Sequence, residues 1–278
     1  MGVAQADKRA AGREERLARL VTLLYHDVVP NGRVDDSGFP GPEAASYKLD
    51  ADDFDQHLEE LGRRTARAPV TVDELRNQPS GVPWLLTFDD GGESAVWIGE
   101  RLAHRGWLGH FFVTVDWIGR RGFVDEDAIR ALDGMGHVVG SHSCSHPDRM
   151  ALCTREQLLD EWGRSVEALS EIIGRPVVVA SVPGGYYRPI VARMAADAGI
   201  RTLFNSEPVI SPHVVDGCLV LGRFVMRRNL SAQTAAQIAC ATRLPRARQF
   251  AFWKAKRAAR AVGGEKYLRL RSWLLTRR

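Results

Sequence analysis

The sequence has few cysteines and lacks long apolar runs, and both absences narrow the class of protein. Only four cysteines occur in 278 residues and none forms a C-x-x-C pair, which argues against a disulfide framework. No apolar run approaches the length of a membrane span. Residues 1–20 are rich in charge and hold no apolar segment of the kind found in secretory signals. We therefore expect a soluble, cytoplasmic protein.

What the sequence does contain is an alternation of short β-branched runs with segments of helical periodicity. The predicted strands are 21–26, 85–88, 110–115, 137–140, 177–182, 202–205 and 219–226. The predicted helices are 52–61, 93–105, 125–132, 154–174, 188–198 and 231–242. Seven strands alternating with helices, without an internal repeat, predict an α/β fold with a parallel sheet, either open or closed.

Two acidic residues stand at the end of one apolar run. Residues 85–88 read as a buried strand, and Asp89 and Asp90 follow it directly. Adjacent residues of a regular strand point to opposite sides, so we expect Gly91 and Gly92 to supply a bend. On its own, this Asp-Asp-Gly sequence is equally consistent with a simple turn.

Two histidines follow a later apolar run in the same way. Residues 138–140 precede His142 and His146. Two imidazoles and one carboxylate make a three-ligand metal site that leaves positions open for water and substrate. The spacing suits one metal ion if the segment makes a helical turn, which Pro147 would end at His146. A parallel sheet can bring these histidines to the two aspartates, with one carboxylate left free to accept a proton. Closure of the sheet into a barrel favours this convergence.

In these residues the chain resembles the polysaccharide deacetylases with a NodB-type domain, carbohydrate esterase family 4. The family motifs read T-F-D-D-G and H-S/T-x-x-H, and residues 87–91 and 142–146 match them in order. The resemblance extends over residues 21–230. It implies a distorted (β/α)7 barrel of the NodB / glycoside hydrolase-deacetylase type.

The resemblance also implies roles for the four motif residues. Asp90, His142 and His146 would bind one divalent metal ion, with zinc favoured and cobalt, nickel or manganese as substitutes. Asp89 would be the general base that takes a proton from the metal-activated water.

The catalytic acid is expected at an unusual position. Many family members carry it in a late L-x-H motif, and no such motif follows the seventh predicted strand. The pattern occurs at the front instead, at residues 24–26, as in a circularly permuted subset that resembles the poly-N-acetylglucosamine deacetylases. The first and last strands of a closed barrel are neighbours, so His26 is the predicted general acid. The alternative is a buried histidine that is bonded to a backbone group.

The third family motif, R-x-P, is altered in this chain. Ser181 stands where the arginine that holds the catalytic aspartate is expected. Arg188, Arg223 or Arg227 could reach Asp89 instead, and the sequence does not choose among them. Backbone N–H groups of the glycines that follow can approach a developing oxyanion. The candidate oxyanion and substrate residues are Gly184, Gly185, Tyr186 and Arg188.

These patterns support one leading function and several alternatives. The leading hypothesis is a metal-dependent N-deacetylase of a saccharide of the N-acetylglucosamine type, which could be a lipid-linked or exopolysaccharide precursor. The alternatives are a deformylase or amidase acting on a lipid-linked sugar, and a degenerate barrel that binds glycans without activity. A non-haem iron oxygenase also uses two histidines and a carboxylate, but it does not need a spare aspartate.

The sequence divides into a charged leader, 1–20, a deacetylase-like barrel, 21–242, and a basic tail, 243–278. The tail holds twelve basic residues against one glutamate, interleaved with aromatic residues. This composition predicts contact with an anionic membrane surface, at the inner face of the membrane. A solvated tail or a helix packed on the barrel is the alternative, and nucleic-acid binding is not favoured because no reading motif accompanies the charges. The sequence does not specify the oligomeric state.

Overall fold

The structure, a computed structural model, describes residues 19–30, 32–77 and 81–258. The predicted leader therefore lies outside the described residues except for its last two positions, and so do the last twenty residues of the predicted tail. The strands are β1 (Val21–Tyr25), β2 (Val28–Val29), β3 (Leu49–Asp50), β4 (Trp84–Phe88), β5 (His110–Val113), β6 (Val138–Ser141), β7 (Val179–Ser181), β8 (Thr202–Phe204), β9 (His213–Val215), β10 (Cys218–Leu221) and β11 (Phe224–Val225).

The helices lie between these strands, as the periodicity predicts. They are α1 (Pro42–Ala45), α2 (Ala51–Arg64), α3 (Ala95–Ala103), α4 (Glu126–Gly134), α5 (Arg155–Ile173), α6 (Pro189–Asp197) and α7 (Ala232–Ala239). Residues 243–258 are also helical. No helix within the described ranges is both long enough and apolar enough to cross a membrane.

The main sheet has nine strands in the order β11-β1-β4-β5-β6-β7-β8-β10-β9. All neighbours are parallel except β9, which is antiparallel to β10. The strands β2 and β3 form a separate parallel pair. The sheet curls into a half-barrel, which confirms the predicted α/β barrel fold.

The predicted seventh strand, 219–226, is wrong as a continuous element. Its first half, β10, pairs with β8, and its second half, β11, pairs with β1 at the other end of the sheet. Gly222 and Arg223 span the gap between the two halves. A Cβ atom on Gly222 would lie 2.3 Å from the carbonyl oxygen of Glu207, so only glycine allows this close approach. One chain segment thus links the two ends of the curled sheet.

Local signals fix the helix ends. Thr154 and Gln157 form the predicted capping box at the start of α5, and Gly174 ends that helix in a left-handed conformation with φ 70°. In contrast, α2 begins one residue before the predicted range of 52–61, and Asp50 at its N-cap position makes no side-chain capping hydrogen bond.

An apolar cluster fills the inside of the sheet below the carboxyl ends of the strands. Its buried members are Leu20, Leu85, Phe112, Val138, Val179, Phe204 and Leu221. The interior is therefore filled by side chains, and the residues of the candidate site lie at the strand ends above it.

Candidate functional site

Three potential metal ligands converge at the carboxyl ends of β4 and β6. The Nε2 atom of His142 lies 3.4 Å from Oδ1 of Asp90, and that of His146 lies 3.6 Å from the same oxygen. All three ligand atoms lie within 4.8 Å of one another. A tetrahedral ion with ligands at 2.0–2.1 Å separates neighbouring ligand atoms by about 3.4 Å. The geometry therefore fits one small divalent ion.

The backbone turns sharply at each ligand. Asp90 itself has φ 78° and Gly91 has φ 74°, so the bend begins one residue before the predicted glycine pair. The predicted helical turn over 142–146 is wrong, because Ser143 and His146 adopt φ 65° and φ 59°. Positive φ at non-glycine residues is costly and tends to mark functional sites.

Glu161 on α5 holds the loop between the two histidines. Its Oε2 atom accepts hydrogen bonds from the backbone N–H groups of Cys144 and Ser145, each at 2.9 Å, and its Oε1 accepts from the Ser145 hydroxyl. Nothing in the sequence distinguishes Glu161 from the other acidic residues of α5. The cluster of potential metal ligands does not include the buried Cys144 of this loop, and burial raises the pKa of its thiol to about 12.

Asp89, the predicted base, is buried and held by Arg223. The guanidinium donates two hydrogen bonds, one to each carboxylate oxygen, at 2.6 and 2.8 Å. Burial opposes ionisation of Asp89, but Arg223 and His142 keep the pKa of its carboxyl below the usual value. Of the three arginines left open by the sequence, Arg223 is therefore the partner. Arg188 is exposed at the start of α6, and Arg227 packs on the ring of Tyr47.

Ser181 connects a metal ligand to the base. Nδ1–H of His142 donates to Ser181 Oγ at 2.6 Å, and this hydroxyl donates to Asp89 Oδ1 at 3.0 Å. This tautomer leaves the Nε2 lone pair of His142 directed at the ligand cluster. The residue that replaces the expected arginine thus orients two members of the site.

His26, the predicted acid, lies beside the two carboxylates at the end of β1. Burial lowers the pKa of His26, whereas the charges of Asp90 and Asp89 raise it. Its ring packs on Tyr47 with centroids 5.0 Å apart. Its Nδ1 atom is buried and makes no hydrogen bond within the described part of the chain. The role of His26 as the acid stays a prediction.

The candidate oxyanion residues follow Ser181 on the same edge of the sheet. Gly184 and Gly185 have φ 64° and 69°, and a Cβ atom on Gly184 would lie 2.7 Å from the carbonyl oxygen of Asp148. Gly184 is exposed, whereas Gly185 and Tyr186 are half-buried. The turn thus packs closely on the loop that follows His146, and its catalytic role stays a prediction.

An aromatic wall borders His146, and its central residue, Phe39, was not predicted from the sequence. The ring of Phe39 lies 4.7 Å from that of His146, 4.9 Å from Trp117 and 5.1 Å from Phe123. Phe39 belongs to the loop of residues 32–41, whose irregular sequence gives no periodic signal. This wall forms one side of the site.

The fold and the site together define an α/β barrel with a hydrolytic arrangement of residues at the carboxyl ends of its strands. Residues 76–203 match the family described as "Polysaccharide deacetylase". Over this segment, which is somewhat less than half of the chain, the protein is therefore similar to the polysaccharide deacetylases. Comparison with curated proteins finds no match.

Three solved structures illustrate the similarity in fold. A Streptococcus pyogenes deacetylase, PplD, in complex with acetate has 18% identity and a TM-score of 0.65, and the match covers 80% of this chain and 98% of that one. IcaB from Ammonifex degensii has 24% identity and a TM-score of 0.65, covering 80% and 97%. A de-N-acetylase from Aggregatibacter actinomycetemcomitans has 18% identity and a TM-score of 0.64, covering 77% and 97%. At these identities the likeness establishes the fold.

Proposed function

We propose that this protein is a metal-dependent N-deacetylase that acts on an amino sugar of the N-acetylglucosamine type within a saccharide. The main supporting observation is that the carboxylate of Asp89, which is paired with Arg223 and is not one of the potential ligands, lies beside the three-ligand cluster of Asp90, His142 and His146. The neighbour from Aggregatibacter actinomycetemcomitans is itself described as a de-N-acetylase, which supports an amide as the bond that is cleaved.

The site supplies each proton transfer that amide hydrolysis needs. When bound, a divalent metal ion supplies Lewis-acid polarisation of the amide carbonyl and lowers the pKa of a water molecule. Asp89 accepts a proton as that water attacks, because Arg223 keeps its carboxylate ionised and fixed in place. His26 donates a proton to the departing nitrogen as the C–N bond breaks, which leaves acetate and a free amine. N–H groups near Gly184 and Gly185 would stabilise the oxyanion.

Zinc is the metal that we propose, with cobalt, nickel or manganese as functional substitutes. Two imidazole nitrogens and one carboxylate oxygen are common ligands of catalytic zinc, which keeps a fourth position open. The spacing of the ligand atoms agrees with a tetrahedral ion.

The nature of the acyl group and the place of action complete the proposal. A formyl group in place of acetyl, on a lipid-linked sugar, would use the same residues. We propose that the protein acts in the cytoplasm, at the inner face of the membrane, where lipid-linked saccharides are accessible. A degenerate barrel is disfavoured, because three ligands, a base and a candidate acid are all present.

The test is to measure acetate, formate and free amine release by the metal-loaded protein. The substrates are a panel of N-acetylglucosamine oligomers and lipid-linked N-acylated sugars. We expect acetate and amine in equal amounts. The control is the triple variant Asp90→Ala/His142→Ala/His146→Ala, which should contain no metal and release no acid. Full metal occupancy in that variant would contradict the proposal. So would the absence of acetate or formate release from every substrate by the metal-loaded protein.

A further inference from the structure

The helix of residues 243–258 is attached to the strand beside the candidate acid. The Val225 N–H donates to Oε1 of Gln249 at 3.1 Å, and Nε2 of Gln249 donates to the Val225 carbonyl at 3.0 Å. Val225 is the register partner of Leu24 in β1, two residues before His26. The side-chain amide of Gln249 therefore holds the helix against β11, at the place where β11 pairs with β1.

A stack of side chains continues from this helix to the site. The guanidinium of Arg227 lies 5.3 Å from the ring of Phe252 and 5.1 Å from that of Tyr47. Tyr47 in turn packs on His26. Phe252 is thus separated from His26 by two side chains. The helix therefore stands on the rim of the catalytic opening, the end of the barrel at which the carboxyl ends of the strands carry the candidate site.

The charge of this helix has one sign. It contains no acidic residue. Its basic residues are Arg243, Arg246, Arg248, Lys254, Lys256 and Arg257. A segment of this kind concentrates positive potential on one side of the opening.

The outward face of the helix carries exposed apolar side chains together with exposed basic ones. Leu244 is 60% exposed and Phe252 is 59% exposed. Exposed alanines continue the stripe at helical spacing, at positions 247, 251 and 255. Arg248 is exposed within this stripe, and Arg243 and Lys254 are exposed along one side of it, whereas Gln249 faces the barrel. An exposed apolar stripe that is accompanied by basic residues is typical of a helix that lies in the headgroup region of a membrane.

We propose that the outward face of residues 243–258 binds an anionic lipid surface. Its basic residues complement anionic headgroups, and its apolar stripe suits the boundary between the headgroups and the acyl chains. A soluble polyanion has no such apolar boundary. Because the helix stands on the rim beside His26, this binding holds the catalytic opening next to the lipid. The binding itself does not depend on the proposed deacetylase activity.

The test is co-sedimentation of the full-length protein with vesicles of phosphatidylglycerol and phosphatidylcholine, against vesicles of phosphatidylcholine alone. We expect binding only to the anionic vesicles, weakening as salt is raised. The double variant Arg248→Glu/Lys254→Glu should reduce the partition coefficient about tenfold or more. Leu244→Gln should reduce it roughly tenfold through the lost apolar contact.

The matched control is Arg105→Glu/Arg201→Glu, which makes the same change in net charge at exposed positions before β5 and β8, on the opposite rim. This variant should bind as the wild type does. Equal losses in the two double variants, or no binding by the wild type, would overturn the proposal. Unchanged binding of Leu244→Gln, together with full competition by soluble polyphosphate, would assign the face to polyanions instead of lipid.

Discussion

Asp89 has almost no access to water, and yet Arg223 and His142 keep the pKa of its carboxyl below the usual value. Arg223 is fully buried and donates to both carboxylate oxygens, while Ser181 donates to one of them. A fixed, paired carboxylate of this kind can accept a proton only from a direction that its partners leave open. At the scale of single residues, this arrangement separates a base from the adjacent metal ligand, Asp90.

Arg223→Lys should damage both stability and the pH dependence of activity. A lysine cannot make the two parallel hydrogen bonds to Asp89, and it also loses the bond from Nε to the Asn205 carbonyl. We expect the free energy of unfolding to fall by about 3 kcal/mol, and the acidic limb of the pH–rate profile to move to higher pH as the pKa of Asp89 rises.

Urea unfolding and a pH series of kcat/KM provide the measurements. The control, Arg193→Lys, weakens an exposed pair with Asp216 and should cost less than about 1 kcal/mol with an unchanged profile. An unshifted acidic limb in Arg223→Lys would show that Arg223 does not set the charge of Asp89.

His26→Gln should keep the metal and remove the alkaline limb of the pH–rate profile. A general acid acts only in its protonated form, so the wild-type rate falls as pH rises through the pKa of His26. We expect a loss of about 10²–10⁴-fold at the optimum. Metal content and the pH profile are measured together, with His213→Gln as the control at an exposed histidine of β9. If His26→Gln retained the limb and His213→Gln lost it, the acid would be His213.

At the scale of helices and strands, features that depend on local sequence signals were easier to predict than features that depend on the pairing of distant strands. The ends of α5 follow from its capping box and from Gly174, both of which act within a few residues. The break between β10 and β11 has no such signal, because it arises from pairing with strands at opposite ends of the sheet. The strands β2, β3 and β9 are two or three residues long, too short for a periodic pattern.

The same difference explains the outcome at the site. Motifs with fixed spacing placed Asp90 and the two histidines together, since parallel strands end on one edge. Arg223 reaches Asp89 because the chain turns between β10 and β11, and no local sequence pattern encodes this turn. The conformation of residues 142–146 depends on Glu161, which is 17 and 16 residues away from the two backbone N–H groups that donate to it.

Lys48→Met should loosen the loop of residues 32–41 that carries Phe39. The buried Lys48 ammonium donates to the carbonyls of Val34, Ser37 and Phe39 at 2.6–2.7 Å. Methionine fills similar space but leaves these three acceptors without a donor, at a cost of about 1–3 kcal/mol or more. Hydrogen exchange of the loop amides should accelerate about tenfold or more. The control is Lys254→Met at an exposed lysine, and unchanged protection in Lys48→Met would contradict this role.

The stability of the whole molecule depends on pH partly through the buried carboxyl group of Asp27, which is neither a potential metal ligand nor the candidate base. Asp27 accepts hydrogen bonds from Ser37 and Ser94, and Gly38 and Gly92 pack so closely on it that a Cβ atom at either position would lie 1.8–1.9 Å from a carboxylate oxygen. Burial raises the pKa of Asp27 from 3.8 to about 6. The folded protein therefore holds this proton to a higher pH than the unfolded chain does.

Because the folded-state pKa is raised, the folded state binds more protons than the unfolded state between about pH 4 and pH 6, and the wild type loses stability as pH rises through that window. Asp27→Asn removes this titration and keeps an acceptor for both serines. A difference of roughly two pKa units corresponds to about 3 kcal/mol, so the free energy of unfolding of the variant should rise by that much relative to the wild type between pH 4 and pH 7.

Urea unfolding across this range, with a chelator present, measures the gain. The control Asp197→Asn, at an exposed acid, should differ from the wild type by a constant amount, and a pH-independent difference for Asp27→Asn would show that Asp27 is ionised in the folded protein throughout.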